Sequence, residues 1–322
     1  MTKGIFQQIK DHYNHSSGRS KELTDNIILS LAMKFASIVA SLLLVPMTIN
    51  YVNPTQYGIW LTLSSVIGWM TYFDLGLGNG FRNKFAEAKA NGDTNLAREY
   101  VSTTYFAISF IVMILFIIVL IINKITDWSS ILKLPIIFKL ELQRIFVIVS
   151  AFTCLNMIAN IFGTLLTADQ KPGLTSIIQG IGQWMSLLAI FILTKVSKGS
   201  LTNLALYYSG IPCLVMLIAS IIMFSCSKYK YYSPEIKYIK TNLIRSILQL
   251  GVQFFIIYMC LIAIFQIINI VITRELGAES VTQYNVCNKY FNIIYMVASI
   301  ISTPLWSAFT EAYTRNDYPW MS

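Results

Sequence analysis

The chain has 322 residues, 24 Lys and Arg against 15 Asp and Glu, and a formal charge of +9. Apolar residues make up 55% and charged residues only 12%, where a soluble domain carries about 45–50% and about 25%. That deficit of charge cannot cover a water-facing surface of this size, which excludes an ordinary soluble enzyme and a disordered chain. The apolar residues also run in long blocks, such as Ile108 to Ile122 and Leu187 to Leu193. Blocks of that kind predict transmembrane helices.

A tilted helix needs about 20 apolar residues to cross the hydrocarbon. Eight stretches qualify in chain order: Asn26–Ile49, Tyr57–Phe73, Val101–Ile122, Ile145–Leu166, Leu174–Thr194, Leu204–Ser225, Ile247–Ile272 and Asn285–Trp306. They are apolar all round rather than alternating, so an all-α polytopic bundle is predicted and a β-barrel is not. Residues 1–25 read as a polar cytoplasmic tail and 26–225 as a first six-helix bundle. Residues 226–246 read as a cytoplasmic linker, and 247–322 as the start of a second bundle. With the N-terminus inside, fifteen Lys and Arg fall on inside segments and eight on outside segments or helix ends. That bias favours a cytoplasmic N-terminus. The positive charge is therefore mostly a topology signal, and no basic patch on a soluble face points to nucleic acid.

The longest connection, Asp74 to Tyr100, is 27 residues. No catalytic domain folds in that space. The cysteines (Cys154, Cys213, Cys226, Cys260 and Cys287) sit in or at the ends of apolar blocks without metal-ligand spacing. The only histidines, His12 and His15, lie in the tail, so neither a zinc motif nor a histidine triad is present. No metal or cofactor is expected. The run Gly76 to Gly80 (GLGNG) follows a membrane helix rather than a strand, which argues against dinucleotide binding. Its glycines are expected to break the helix before an amphipathic surface helix from Phe81 to Ala90. The segment Pro234 to Leu250 is expected to form a basic interfacial helix near anionic lipids.

Phe85 to Asp93 (FAEAKANGD) and Phe309 to Asp317 (FTEAYTRND) match at an offset of 224. The pairs Gln56-Tyr57 and Gln283-Tyr284 match at 227. Each bracket a helix hairpin, which predicts a parallel repeat of six helices. Two copies of about 225 residues need about 450, so the repeat predicts four or more further helices after Ser322.

Polar residues form stripes along five spans. The first gives Ser30, Lys34, Ser37, Ser41 and Thr48 on one face; the fourth gives Thr153, Asn156, Asn160, Thr164 and Thr167. The fifth gives Ser176, Gln179, Gln183 and Ser186, and the seventh Gln266, Asn269 and Thr273. The eighth gives Asn288, Asn292, Tyr295, Ser299, Ser302 and Trp306. An amide facing lipid leaves polar groups unpaired at several kcal/mol, so these faces must meet other helices or water. For any one residue, polar glue between helices and a wet lumen are both open readings. Five stripes together favour the lumen. Lys34 is the one charge well inside a span; it either attracts an anionic substrate or snorkels to the nearby boundary. Asp74 and Arg82 bracket the glycine turn, as a charge pair or as part of a gate. Arg274 and Lys289 flank the outer loop, as surface anchors or as part of an outward cavity.

The stretch YGIWLTLSSVIGWMTYFDLGLGNGFRNKFAEAKANGD, from Tyr57 to Asp93, resembles the polysaccharide-repeat flippases of bacterial O-antigen and capsule synthesis. These are the Wzx-type branch of the multidrug/oligosaccharidyl-lipid/polysaccharide exporters. The YG-x-W start, the FDLGLGNG turn, the FAEA helix and PLWSAFTEAY, Pro304 to Tyr313, carry the resemblance. It implies a MATE-like fold of two six-helix bundles around a cavity reached alternately from each side, in the bacterial cytoplasmic membrane. It implies translocation of a polyprenyl-pyrophosphate-linked oligosaccharide from inner to outer leaflet. Its implied partners are that lipid-linked oligosaccharide, membrane lipids, and the polysaccharide polymerase and chain-length machinery. A multidrug or cation exporter of the same superfamily and an integral-membrane enzyme of glycan synthesis are the alternatives. The lack of a mid-helix carboxylate argues against the first, and short loops against the second.

Overall fold

A long apolar segment in lipid must satisfy its own backbone, and the helix does so. The computed structural model describes residues 18–249, except 75, 133, 135 and 170, and residues 267–292 with 256, 260, 294 and 295. Among them are helices and turns but no strand. The chain is an all-α, multi-pass membrane protein. Helix α1 spans Gly18–Val52, α2 Pro54–Gly68, α3 Leu77–Ala90, α4 Thr94–Ile125, α5 Lys139–Ala168, α6 Pro172–Val196 and α7 Leu201–Cys226. Residues 242–249 form α8, α9 is Ile267–Leu276, and 278–292 form α10. Among the described residues α1, α4, α5, α6 and α7 are long and apolar enough to cross a membrane.

Local chemistry sets the turns. Asn53 takes a left-handed φ of 98°, which asparagine tolerates better than most residues. Its side chain then accepts the Gln56 N–H at 2.9 Å, and Pro54 fills the first helical position. The expected second span, Tyr57–Phe73, is α2 followed by a 3-10 turn at Trp69–Tyr72. Helix α3 starts at Leu77, four residues before the expected Phe81, because Gly76 at φ 73° lets the chain turn there. It buries Leu77, Phe81, Phe85 and Ala88 on one face. That face packs on α4 and α5, while Arg82, Asn83, Glu87 and Lys89 on the opposite face stay exposed, as an amphipathic surface helix requires. Asp93 caps α4 by accepting the Leu96 N–H at 2.9 Å.

Helix α1 packs on α6, α6 on α7, α7 on α5 and α5 on α4. Half of the apolar window of α5 is buried, against 22% in the other four long helices, so α5 is the central one. The exposed apolar residues of α4, including Phe106, Phe110, Met113 and Ile117, form the face left for lipid. Small residues allow close approach: Gly182 of α6 faces the backbone of Pro212 in α7.

The connections fall at two ends of the bundle. At one end, Lys89 in the last turn of α3, Asp169 after α5 and Lys228 after α7 meet in one ion-paired group. At the other, the Tyr51 hydroxyl reaches Ser197 Oγ at 2.9 Å, and Gly199 lies against the Tyr51 carbonyl.

The linker departs from expectation. Residues 234–249 do not form one continuous helix; a 3-10 turn at Ile236–Tyr238 precedes α8. The reason is its bonding to α4. The Glu235 N–H donates to Ser102 Oγ at 3.1 Å and the Lys240 N–H to Thr103 Oγ1 at 2.9 Å. Arg98 of α4 ion-pairs Glu235, donates to the Ser233 carbonyl at 3.2 Å and stacks on the Tyr238 ring at 4.3 Å. Backbone groups that would close a helix are committed to a neighbour instead. We term residues 227–241 the strap.

Candidate functional site

A cavity of about 390 Å³ lies at the strap end of the bundle, between α3, α4, α5 and α6. Its volume is that of roughly a dozen waters at about 30 Å³ each, and falls in the range of small-molecule sites. Helix α5 contributes one wall: Asn156, Asn160, Gly163, Thr164 and Thr167 recur at helical spacing and all line it. Gln179 and Thr175 of α6, Thr104 of α4, and Thr71, Asp74, Asn79 and Arg82 around the glycine turn complete it. Thr71, Arg82 and Gln179 are exposed, so the cavity reaches the surface.

Seven of the residues singled out from sequence therefore meet here: Asp74, Arg82, Asn156, Asn160, Thr164, Thr167 and Gln179. Asp74 and Arg82 share the cavity without pairing. The Asp74 carboxylate accepts the Gly76 N–H at 2.9 Å and the Gly78 N–H at 3.2 Å. Burial pushes its carboxyl above the usual carboxylate range, against those two bonds, which favour the charged form. The α5–α6 wall is stitched at Gly163, whose carbonyl accepts from Thr167 Oγ1 at 2.9 Å and Thr175 Oγ1 at 3.1 Å. The Thr104 hydroxyl is buried at the cavity and has no protein partner.

The other candidates lie elsewhere. Lys34 is exposed on α1; Ser37 and Ser41 are half-buried there, with Ser37 close to Gly180 of α6. Gln183 is half-buried on α6, outside the cavity lining. Asn288 and Asn292 are exposed on α10, where Asn292 Nδ2 donates to Asn288 Oδ1 at 3.0 Å. Arg274 is exposed beside Glu275, and Lys289 is half-buried on α10. Gln266, with Ser299, Ser302, Trp306 and the Pro304–Tyr313 motif, lies outside the described residues.

Asn269 sits in a different structure, a seam of α2 against α9 and α10. It is buried, donates to Ser65 Oγ at 3.0 Å, and accepts from Asn285 Nδ2 at 2.8 Å. Thr62 and Thr273 hydroxyls bond each other, and Thr282 Oγ1 donates to the Pro54 carbonyl at 2.7 Å. A Cβ at Gly58 would stand 1.7 Å from the Ala278 carbonyl oxygen, so the helices touch backbone to backbone there.

Sequence reasoning missed Asp169. Its side chain is 1% exposed, yet it accepts from Lys89, from Lys228 Nζ at 2.9 Å and from the Tyr229 hydroxyl at 2.7 Å. The available signal was a lone carboxylate in the short α5–α6 turn, next to two basic segments assigned to the same side. Thr71, Asn79, Thr104 and Thr175 were missed too, because isolated hydroxyls and a single amide in the first turn of α3 form no stripe.

Comparison with known proteins fits this helical membrane scaffold. Residues 23–309 match the family described as "Polysaccharide biosynthesis protein". A Yersinia pseudotuberculosis protein named "Putative O-antigen export protein" is 20% identical over 295 residues. The match covers 89% of this chain and 63% of the relative, so the chain spans less than two thirds of that protein's length. No solved structure matches. The family match extends over most of the chain, and the chain belongs to the polysaccharide biosynthesis protein family.

Proposed function

We propose that the chain is a flippase of the bacterial cytoplasmic membrane that moves polyprenyl-pyrophosphate-linked oligosaccharide repeats from the inner to the outer leaflet. The carrying observation is the amide- and hydroxyl-lined cavity inside an otherwise apolar bundle. A glycan hydroxyl stripped of water without a partner costs a few kcal/mol, so a path for sugars must supply partners throughout. Asn156, Asn160, Gln179, Thr164 and Thr167 do so along one wall. Arg82 is the cation among the cavity-lining residues, and its guanidinium fork suits phosphoryl oxygens. The isoprenoid tail stays in lipid.

With the N-terminus inside, the strap end is cytoplasmic, the cavity opens inward and the α2 seam lies towards the outside. Alternating access then requires the seam to part: the Thr62–Thr273, Ser65–Asn269 and Thr282–Pro54 bonds break as the two halves rotate. Lys34, Ser37, Ser41, Gln183, Gln266, Asn288 and Asn292 are assigned to the path of the open states, with Arg274 and Lys289 at its outer rim. The lipid-linked repeat is the substrate, and the polysaccharide polymerase and chain-length machinery receive it. No bond in the substrate is made or broken.

Asp74 favours a second reading. A carboxyl within the cavity, pushed up by burial, is the kind of group a cation exporter uses. The two readings separate in one experiment. Deletion of the gene accumulates inward-facing lipid-linked repeats under the first and leaves them unchanged under the second. An Asn160→Leu protein that inserts normally fails to relieve that accumulation. Full relief by Asn160→Leu removes the cavity from the path.

A further inference from the structure

A linker between two moving bodies carries few contacts of its own. The strap carries many, and all go to the first bundle. At the end of α5, Asp169 accepts from Lys228 Nζ at 2.9 Å and from the Tyr229 hydroxyl at 2.7 Å. The buried Tyr229 ring meets Phe162 of α5 edge-on at 5.8 Å, and Tyr232 meets Phe85 of α3 at 5.2 Å. On α4, Arg98 ion-pairs Glu235 and stacks on Tyr238, while Ser102 and Thr103 accept the Glu235 and Lys240 N–H groups. The anchors are residues 228, 229, 232, 235, 238 and 240, so at most two residues separate one from the next. A chain tied at that spacing has no slack. Helix α8 continues the attachment. Ile247 is fully buried, and a Cβ at Gly80 of α3 would stand 2.0 Å from the Ile247 carbonyl oxygen, so the two backbones touch. Gly80 lies between Asn79 and Phe81, both in the cavity lining.

The seam of α2 against α9 and α10 differs in kind. Neutral hydroxyls and amides hold it: Thr62 to Thr273, Asn269 to Ser65, and Thr282 to the Pro54 carbonyl. Each of these groups can exchange its partner for water at little net cost. Peeling the strap away instead separates opposite charges at Asp169 and Glu235 and draws the Tyr229 ring out of its burial. Between the two contacts, the seam is the one that yields.

We propose that residues 227–249 are a fixed clasp of the first bundle rather than a moving link between the halves. The strap and α8 travel with α3, α4 and α5 as one body and hold the ends of those helices around the cavity while the seam opens. The clasp is defined by its contacts alone; its part in export rests on the flippase reading above.

The test uses the full chain in a cysteine-free background. Spin labels at the exposed positions Phe110 and Arg245 report across the clasp, and labels at Phe110 and Glu279 report across the seam. Both pairs are measured with and without Gly58→Ala, whose Cβ would stand 1.7 Å from the Ala278 carbonyl oxygen. The Phe110–Arg245 distance distribution is single and the same in both proteins. A second population, or a shift that follows the Phe110–Glu279 distance, overturns the clasp. This arm needs no transport. The functional arm joins Ser102→Cys to Glu235→Cys with a short bifunctional thiol reagent and compares the product with the same variant left unjoined. The joined chain relieves the accumulation of inward-facing lipid-linked repeats as well as the unjoined one. Loss of relief on joining, with normal insertion, overturns the clasp. The same reagent across Thr62→Cys and Thr273→Cys abolishes relief. Continued relief there counts against alternating access and leaves the clasp standing, so the two failures are distinct.

Discussion

Replacing Asp169 probes how the strap end is held together. Its carboxylate is 1% exposed and, from the α5–α6 turn, takes one ammonium group from the end of α3 and an ammonium group and a phenol from the strap. Removing one partner of a buried ion pair costs about 3–5 kcal/mol when the orphaned charge stays buried. Here the lysines are 41% and 55% exposed and can turn to water, so roughly half of that, about 2 kcal/mol, is expected for Asp169→Asn. The asparagine oxygen still accepts from Tyr229. Asp169→Ala also removes the acceptor of that buried hydroxyl and adds about 1–3 kcal/mol. At about 2 °C per kcal/mol for a chain of this size, the melting temperature in detergent falls about 4 °C for the amide and more for alanine. Glu87→Gln, which removes an exposed pair with Lys84, stays within scatter of the wild type. If both Asp169 variants also stay there, these segments are not joined through this carboxylate and the reasoning fails.

Three further outcomes follow from the same geometry. Thr104→Val removes a buried hydroxyl that has no protein partner, so stability is unchanged or rises by about 1 kcal/mol while export falls; a loss above about 1 kcal/mol contradicts the assignment. Gly58→Ala places a Cβ 1.7 Å from the Ala278 carbonyl oxygen and must push α2 from α10; in a cysteine-free background, disulfide yield between Thr62→Cys and Thr273→Cys drops, and an unchanged yield refutes the contact. Asp74 has a folded-state carboxyl raised above its unfolded value, so the folded state holds the proton more tightly and its ionisation opposes folding. That penalty is absent below the unfolded value and complete above the raised one, so the stability advantage of Asp74→Asn over wild type grows as pH rises through that window; a constant difference contradicts the burial.

Much of the bundle was legible because lipid leaves the backbone no alternative to helix over long apolar runs. Helix ends were set by Asn53-Pro54, Gly76 and Asp93, all readable as caps or breakers. The strap was not readable as such, because its path depends on Ser102, Thr103 and Arg98, more than a hundred residues away. The polar stripe of α5 was visible as a 3.6-residue pattern, and Asn156 and Asn160 do face one cavity. Asn269 shows the limit of that pattern: periodicity says that an amide avoids lipid, not whether it meets water or, as here, Ser65 and Asn285. Asp169 gave only the signal of a lone carboxylate in a short turn, since its partners are 59, 60 and 80 residues distant.

The account rests on a hydrated cavity open at the strap end and a seam sealed at the other. Cysteine placed at Asn160 and, separately, at Thr273 in a cysteine-free chain tests both at once, using a membrane-impermeant thiol reagent applied to each side of oriented vesicles. The account predicts rapid modification at position 160 from the cytoplasmic side alone and protection at position 273 from both sides. Protection at 160 from both sides, or equal modification at the two positions, contradicts it.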